Sequence, residues 1–221
     1  GYGDINADFW FIGMEEGGGN SFEEVRNRLN IWEKMGRNQL ENVKTYHDFL
    51  GFPEYFAEKP KAQSTWTKLI RVYLASQGDF PGHDQIKKLQ RDEFGIPNSN
   101  VALLELLPLP SPSTNKWIYS SHSEIPYLKS RKKYRNHLAI TRLNKIQKMI
   151  IENRPKAVIL YGFSYFEYWE ILGNSGFMKY LDFDFWVKDT SSTKYIIMKH
   201  PVAFGLKNEY FNTIGTYLKE G

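Results

Sequence analysis

The stretch DFWFIGMEEGGG, residues 8–19, joins a short apolar run to two carboxylates and three consecutive glycines. The run 8–13 has the length and hydrophobicity of a buried β-strand, and Gly13 ends it. Glu15 and Glu16 then stand on a very pliable backbone. The pattern predicts a strand whose carboxyl end presents acidic side chains in a turn that a ligand can approach closely.

Three further apolar runs end at Gly or Pro and are typical of strands covered on both faces: 100–109, 156–162 and 194–200. Helical periodicity occupies five other segments: 21–36, 64–78, 135–154, 165–176 and 208–221. Alternating strands and helices predict an α/β fold, a three-layer αβα sandwich around a mainly parallel four-stranded sheet. The ligand site of such a sheet lies beyond the carboxyl ends of its strands.

The length of 221 residues suits a single domain, 1–221, with one long basic loop at 108–134. Aromatic residues make up 16% of the chain, so we expect some rings to line a surface or pocket. A net charge of +4 permits contact with a polyanion such as DNA without requiring it.

The absence of cysteine excludes disulfides, zinc ribbons, iron–sulfur clusters and thiol nucleophiles. The five histidines show no HxH or HExxH spacing, so we expect no metal site. The stretch GMEEGGG matches neither the dinucleotide fingerprint nor the P-loop, and we expect no cofactor. No apolar stretch is long enough to cross a membrane and no signal peptide is recognised, so a cytoplasmic protein is the expectation.

Four pieces of the chain, in this order, resemble the motifs of the uracil-DNA glycosylase superfamily. They are GMEEG (13–17), NVALLELLPLPSPSTN (100–115), ENRPKAVILYG (152–162) and HPV (200–202). The resemblance implies that superfamily's fold, with an insertion at 37–63. It also implies a monofunctional DNA N-glycosylase, acting as a monomer that contacts DNA and needs neither metal nor cofactor.

Two departures from the superfamily pattern concern the substrate. Glu16 stands where a Pro is usual, and Val202 stands where a Ser is usual. The base that is removed is therefore open: a uracil-like, deaminated or modified base, or none if the activity has been lost.

The resemblance assigns the chemistry to the two ends of the chain. Glu15, with Glu16 as the alternative, matches the position that stabilises the sugar cation or orients a water molecule on it. His200 matches the position that donates a hydrogen bond to the departing base. Three residues of the acidic turn would contact the base: Gly13, Met14 and Gly17.

A flipped-out base would stack on an aromatic ring, for which Trp66, Phe22 and Tyr165 are the candidates, Trp66 foremost. An ordinary core tryptophan is the alternative for Trp66. Phe204 follows the His-Pro pair and is the candidate wedge that fills the gap left in the duplex, burial under the last helix being the alternative.

Glu105 interrupts a run of leucines in the second predicted strand, where the superfamily often has an Asn that reads the base edge. A carboxylate there would accept a hydrogen bond from an exocyclic amine, as on cytosine. We therefore predict base contact by Glu105 and a bulky cytosine-derived base, of the kind found in some phage DNAs, as one substrate. A solvent-facing Glu is the alternative.

The segment KSRKKYR, residues 129–135, is the densest group of basic residues. Its Arg and Lys side chains are the predicted phosphate contacts: Arg131, Lys132, Lys133 and Arg135. Tyr134 among them is a candidate to stack or to bind a phosphate. A solvated charged surface is the alternative.

Two functions compete with the glycosylase hypothesis. In the first, the same fold holds a flipped base or a nucleotide as an inactive binding module. Alternatively, the acid and the glycine-rich pocket suit a hydrolase of free nucleosides or nucleotides.

Overall fold

The computed structural model describes residues 1–113 and 115–220. They form an α/β fold with one mixed sheet and helices on both of its faces. The strands are β1 (Tyr2–Gly3), β2 (Phe9–Glu15), β3 (Val101–Leu107), β4 (Ala157–Tyr161), β5 (Met178–Lys179), β6 (Phe185–Asp189) and β7 (Lys194–Met198). The α-helices are α1 (Phe22–Lys34), α2 (Val43–Leu50), α3 (Ser64–Ser76), α4 (His83–Asp92), α5 (Arg131–Asn153), α6 (Phe166–Leu172) and α7 (Asn208–Lys219).

The sheet has the strand order β1-β3-β2-β4-β7-β6-β5. The four strands β3, β2, β4 and β7 pair in parallel, and β1, β6 and β5 extend the sheet in antiparallel pairing. In the described part of the chain, seven strands replace the expected four. Strands β1 and β5 are two residues long, too short for a periodic signal, and β6 alternates buried with half-buried residues as an outer strand does.

Two apolar clusters, one on each face of the sheet, explain why the central strands are apolar throughout. Trp10 and Ile12 of β2 face a cluster shared with α5 and α6. Phe9 and Phe11 of the same strand face the opposite cluster, which includes residues of α3, α4 and α7. Successive side chains of a strand point to opposite faces, so helices cover both faces and the layers number three.

The segment 37–63 contains a helix that the sequence analysis did not predict. Asn42 caps α2 by accepting hydrogen bonds from the amides of Lys44 and Thr45, and Gly51 ends the helix in the left-handed conformation. The helix is only eight residues long, about two turns, which is too short for a clear helical periodicity in the sequence.

The basic loop is shorter than predicted. Ser130 caps α5 by accepting a hydrogen bond from the amide of Lys133, so the helix begins at Arg131 rather than at 135. The three basic residues 131–133 therefore lie, with Tyr134, in the first turn of a helix. Residue 114 of the predicted loop and residue 221 of the predicted domain lie outside the described residues.

No helix in the described part of the chain combines the length and the hydropathy that crossing a membrane requires.

Candidate functional site

A cavity of about 1170 Å³ opens at the carboxyl ends of the parallel strands. It collects residues from the ends of β2 and β3, from β4 and from the loop after β7. Eight of the sequence candidates line it: Met14, Glu15, Glu16, Gly17, Trp66, Glu105, Tyr165 and His200. The two ends of the chain thus meet at one cavity, since β2 and β7 both flank β4.

Glu15 is the last residue of β2, and only one of its two carboxylate oxygens has a partner in the described part of the chain. Its side chain is 8% exposed, and Oε1 forms an ion pair with Arg131 at the start of α5. Oε2 is buried and has no hydrogen-bond partner among the described residues. The carboxylate is therefore fixed at a cavity wall with a free lone-pair oxygen.

Arg131 fixes Glu15 to the proline-rich loop that follows β3. Its Nη1 donates hydrogen bonds to Ser111 Oγ at 3.2 Å and to the Ser113 carbonyl at 2.9 Å. The amide of Ser111 in turn donates to the carbonyl of Glu16 at 2.9 Å. The acidic turn, the loop and the helix start thus form one hydrogen-bonded unit.

Glu16 is paired on a different wall of the cavity. Its Oε1 accepts a hydrogen bond from the Tyr2 hydroxyl at 2.7 Å and lies 3.2 Å from Nη1 of Arg28. Tyr2 and Arg28 also line the cavity, and the sequence analysis did not identify them. The signal that could have identified Arg28 is its position as a basic residue on the buried face of α1.

Two of the three consecutive glycines have backbone conformations that favour glycine. Gly18 and Gly19 have φ angles of 107° and 70°, whereas a Cβ at Gly17 would meet open space. The amide of Gly19 donates a hydrogen bond at 2.9 Å to Glu24, which also accepts one from the Asn20 amide. Glu24 in the first turn of α1 therefore fixes the acidic turn.

Gly13 is required by close packing beneath the cavity. A Cβ there would lie 2.4 Å from the Tyr161 hydroxyl oxygen and 2.5 Å from Oε2 of Glu105. The absent side chain leaves room for these two polar groups.

Glu105 and Tyr161 form a buried polar pair. The Tyr161 hydroxyl donates a hydrogen bond to Oε1 of Glu105 at 3.1 Å, and Oε2 has no partner among the described residues. Burial, with the nearby charge of Glu16, raises the pKa of Glu105 to about 8. Burial also raises the pKa of Tyr161 well above its usual value, and Glu105 adds to the effect.

His200 follows β7 at the rim of the cavity, with its ring centroid 5.6 Å from that of Tyr161. The amide of Val202 donates to Nδ1 at 3.4 Å, which leaves Nε2 as the protonated nitrogen of the neutral ring. The imidazole is exposed to solvent on one side. Neighbouring groups still desolvate it, which disfavours the charged form and lowers its pKa. His200 is therefore a neutral hydrogen-bond donor near pH 7.

The candidate stacking rings separate into two groups. Trp66 and Tyr165 line the cavity, and Trp66 also packs against His47 and Phe56 at centroid distances of 5.3 and 5.8 Å. Phe22 is not among the lining residues and instead stacks on His122 at 4.8 Å.

The basic residues of α5 do not form one surface. Arg131 points to Glu15, and Arg135 lies over the ring of Tyr168 at 5.9 Å. Tyr134 is buried, and its hydroxyl accepts a hydrogen bond from the Leu109 amide at 3.0 Å, which makes its role structural. Lys132 and Lys133 are the exposed cations of this turn.

Phe204 projects from the loop after β7. Its relative exposure is 106%, so it is not buried under α7. A turn in which the Ala203 amide donates to the His200 carbonyl at 2.8 Å connects this loop to the backbone of His200.

The site was also examined for metal-binding side chains, and the chain for similarity to known proteins. Among residues 1–113 and 115–220, no group of three or more His, Asp or Glu side chains is arranged to hold a metal ion. No protein-family model matches the chain, and a search of curated proteins finds no match.

Proposed function

We propose that the chain is a monofunctional DNA glycosylase related to the uracil-DNA glycosylase superfamily, which hydrolyses the N-glycosidic bond of a flipped-out base. The observation that carries the proposal is the meeting of Glu15 and His200 at one cavity, one from the first central strand and the other from the last. We also propose that the protein acts as a monomer in the cytoplasm.

Glu15 would act on the sugar. As the bond between C1′ and the base nitrogen lengthens, positive charge develops on the sugar, and a fixed carboxylate stabilises it. The free Oε2 also suits a water molecule, whose oxygen would form the new bond to C1′. Glu16 is the alternative for this role: Tyr2 and Arg28 engage its Oε1, as Arg131 engages Oε1 of Glu15.

His200 would act on the departing base. The base leaves with the bonding electron pair, and negative charge spreads onto its ring nitrogens and exocyclic carbonyl oxygens. The neutral imidazole, with Nε2 as donor, can stabilise that charge by a hydrogen bond. A water proton then neutralises the released base.

The volume of the cavity favours a substrate base larger than uracil. Pockets for drug-sized ligands hold roughly 300–1,000 Å³, and this one reaches about 1170 Å³. It continues past the acidic turn to polar residues of α1 and of the segment 37–63, among them Arg28, Asn38 and Gln39. A cytosine derivative with a bulky polar substituent fits such a lining.

DNA would cross the mouth of the cavity. Lys132 and Lys133 supply exposed cations beside the residue that fixes Glu15, and phosphate contacts of this kind provide most non-specific affinity. Phe204 is free to enter the base stack as a wedge.

An inactive binding module is the second candidate. The ion pair between Glu15 and Arg131 favours it, because half of the proposed acid is already engaged. On that view the cavity holds a flipped base without cleaving it.

Base release from a panel of duplexes tests the proposal. The panel contains uracil, hypoxanthine, 5-hydroxymethylcytosine and glucosylated 5-hydroxymethylcytosine, each paired with a free-nucleoside control. We expect abasic sites with at least one duplex and none of that base from its nucleoside. Release from the nucleoside alone favours the nucleoside hydrolase, whereas tight binding without release favours the binding module.

A further inference from the structure

Glu105 has one carboxyl oxygen that nothing in the described part of the chain satisfies. Oε1 receives the Tyr161 hydroxyl at 3.1 Å, while Oε2 is buried without a hydrogen-bond partner. Glu105 lines the cavity, and Oε2 lies against Gly13, where a Cβ would be 2.5 Å away. A buried polar atom without a partner requires an explanation, and at a cavity wall a contact completed by a ligand is one.

The surroundings of Glu105 favour its protonated form. An ionised carboxylate has about four lone-pair positions to satisfy, and here Tyr161 supplies the hydrogen bond. Arg142 of α5 donates instead to the backbone carbonyls of Glu105 and Leu106, both at 3.0 Å. Glu16 across the cavity opposes a second negative charge.

Two other groups face the pair. The amino group of Gly1 favours the ionised form of Glu105, but its effect on the pKa is smaller than the effects of burial, Glu16 and Tyr161. His200 adjoins Tyr161 and is neutral near pH 7 because desolvation by neighbouring groups lowers its pKa. The net result is a raised pKa of Glu105, about 8.

We propose that Glu105 reads the base as a neutral carboxylic acid, whose Oε2 hydroxyl donates a hydrogen bond to an acceptor atom on the base edge while Tyr161 occupies Oε1. This inference rests on the proposed function and narrows its substrate class. The base must present a carbonyl oxygen or an unprotonated ring nitrogen towards Glu105. Uracil and its derivatives meet this requirement through O4, and cytosine derivatives through N3.

The proposal reverses the direction of the hydrogen bond expected from the sequence. An ionised Glu105 accepts from an exocyclic amine, whereas a protonated Glu105 donates. Only the protonated fraction then binds the base productively, so release falls when Glu105 loses its proton.

The pH dependence of single-turnover base release tests this role, with the most active duplex of the panel as substrate. We expect the wild-type rate to fall about tenfold between pH 7 and pH 9. Glu105→Gln retains an N–H donor that does not titrate, so its rate is lower than the wild-type rate at pH 7 but equal at the two pH values. Glu152→Gln, at an exposed position on α5, is the matched control and should follow the wild-type profile.

Carbon-13 NMR of the glutamate carboxyl groups provides a readout that does not depend on activity. The signal lost in Glu105→Gln should titrate near pH 8. Ionisation of that carboxyl below pH 6 overturns the proposal. A wild-type rate that is flat to pH 9, or a Glu105→Gln rate that falls in parallel with it, also overturns it.

The proposed function and this inference fail in different ways. If the wild type releases no base from any duplex of the panel, the glycosylase proposal fails. The Glu105 inference is then decided by binding of the same duplexes at pH 7 and pH 9. Binding that weakens in the wild type but not in Glu105→Gln supports it, and equal pH dependence of the two proteins overturns it.

Discussion

Glu15 and Arg131 depend on each other, because their side chains are 8% and 15% exposed and meet in an ion pair. Removal of one partner of a buried pair leaves the other charge without compensation. We expect Glu15→Gln to lower the free energy of unfolding by roughly 1–3 kcal/mol, measured by urea denaturation.

The double variant Glu15→Gln/Arg131→Gln is the matched control for that measurement. It removes both charges, so part of the lost stability should return. The stability losses of Glu15→Gln and Arg131→Gln are also measured separately. If the loss in the double variant equals their sum, the two residues do not interact.

Glu105 should make stability depend on pH. Its pKa is about 8 in the folded protein, against a reference value of 4.5. Between these values the folded state holds a proton that the unfolded state has lost, so rising pH reduces stability by up to about 1.4 kcal/mol per pH unit. The penalty is absent below pH 4.5 and complete above pH 8.

Glu105→Gln removes that titration. We expect its melting temperature, relative to the wild type, to rise as the pH increases from 5 to 8.5, as measured by differential scanning calorimetry. A difference that stays constant over this range contradicts the raised pKa of Glu105.

Individual residues of the site were predictable from the sequence where a strand end fixed their position. Glu15 and His200 follow this rule, whereas Glu105 was identified as the acid that interrupts the leucines of β3. Their partners were not predictable, because Arg131 and Tyr161 reach the site through helix and strand packing that no local pattern encodes.

Helix α5 separates two roles within one turn, because Arg131 points to Glu15 and Lys132 to solvent. Arg131→Ala should reduce the rate of the chemical step at saturating DNA, since Glu15 loses its anchor. Lys132→Ala should instead weaken DNA binding uniformly across sequences and reduce its salt slope by about one. Single-turnover rates and salt-dependent binding distinguish them, and identical profiles for the two variants argue against the division.

The loop after β7 should act on duplex DNA alone. Phe204 is fully exposed, so Phe204→Ala should change the free energy of unfolding by less than about 0.5 kcal/mol. Its loss should slow base release from duplexes at least roughly tenfold, since a wedge offsets a few kcal/mol of unstacking. Release from single strands should not change, and an equal loss on both substrates would rule out the wedge.

Elements with a strong signal were predicted well, and short ones were not. Helix α3 and strand β2 lie within two residues of their predicted bounds. Strand β5 has two residues, too few for a periodic pattern. Helix α4 buries Ile86 and Leu89 on one face, but no capping side chain at Gly82 marks its start.

At the scale of the whole molecule, the parallel arrangement of β3, β2, β4 and β7 brings separated segments to one edge of the sheet. The α/β class followed from the alternation of strands and helices. The seven-stranded width and the size of the cavity did not, because they depend on how the segment 37–63 and the edge strands pack around the central strands.

The central claim is that Glu15 and His200 act together on one bound nucleotide. Its most direct test is the single-turnover rate of base release from the best duplex substrate. Both residues are changed, and an exposed residue of the same type serves as each control: Glu15→Gln with Glu152→Gln, and His200→Ala with His83→Ala.

We predict that Glu15→Gln and His200→Ala each lower the rate by about 10²–10³-fold at unchanged DNA affinity, while both controls retain the wild-type rate. Rates of Glu15→Gln and His200→Ala within twofold of the wild-type rate, in folded protein, would contradict the account.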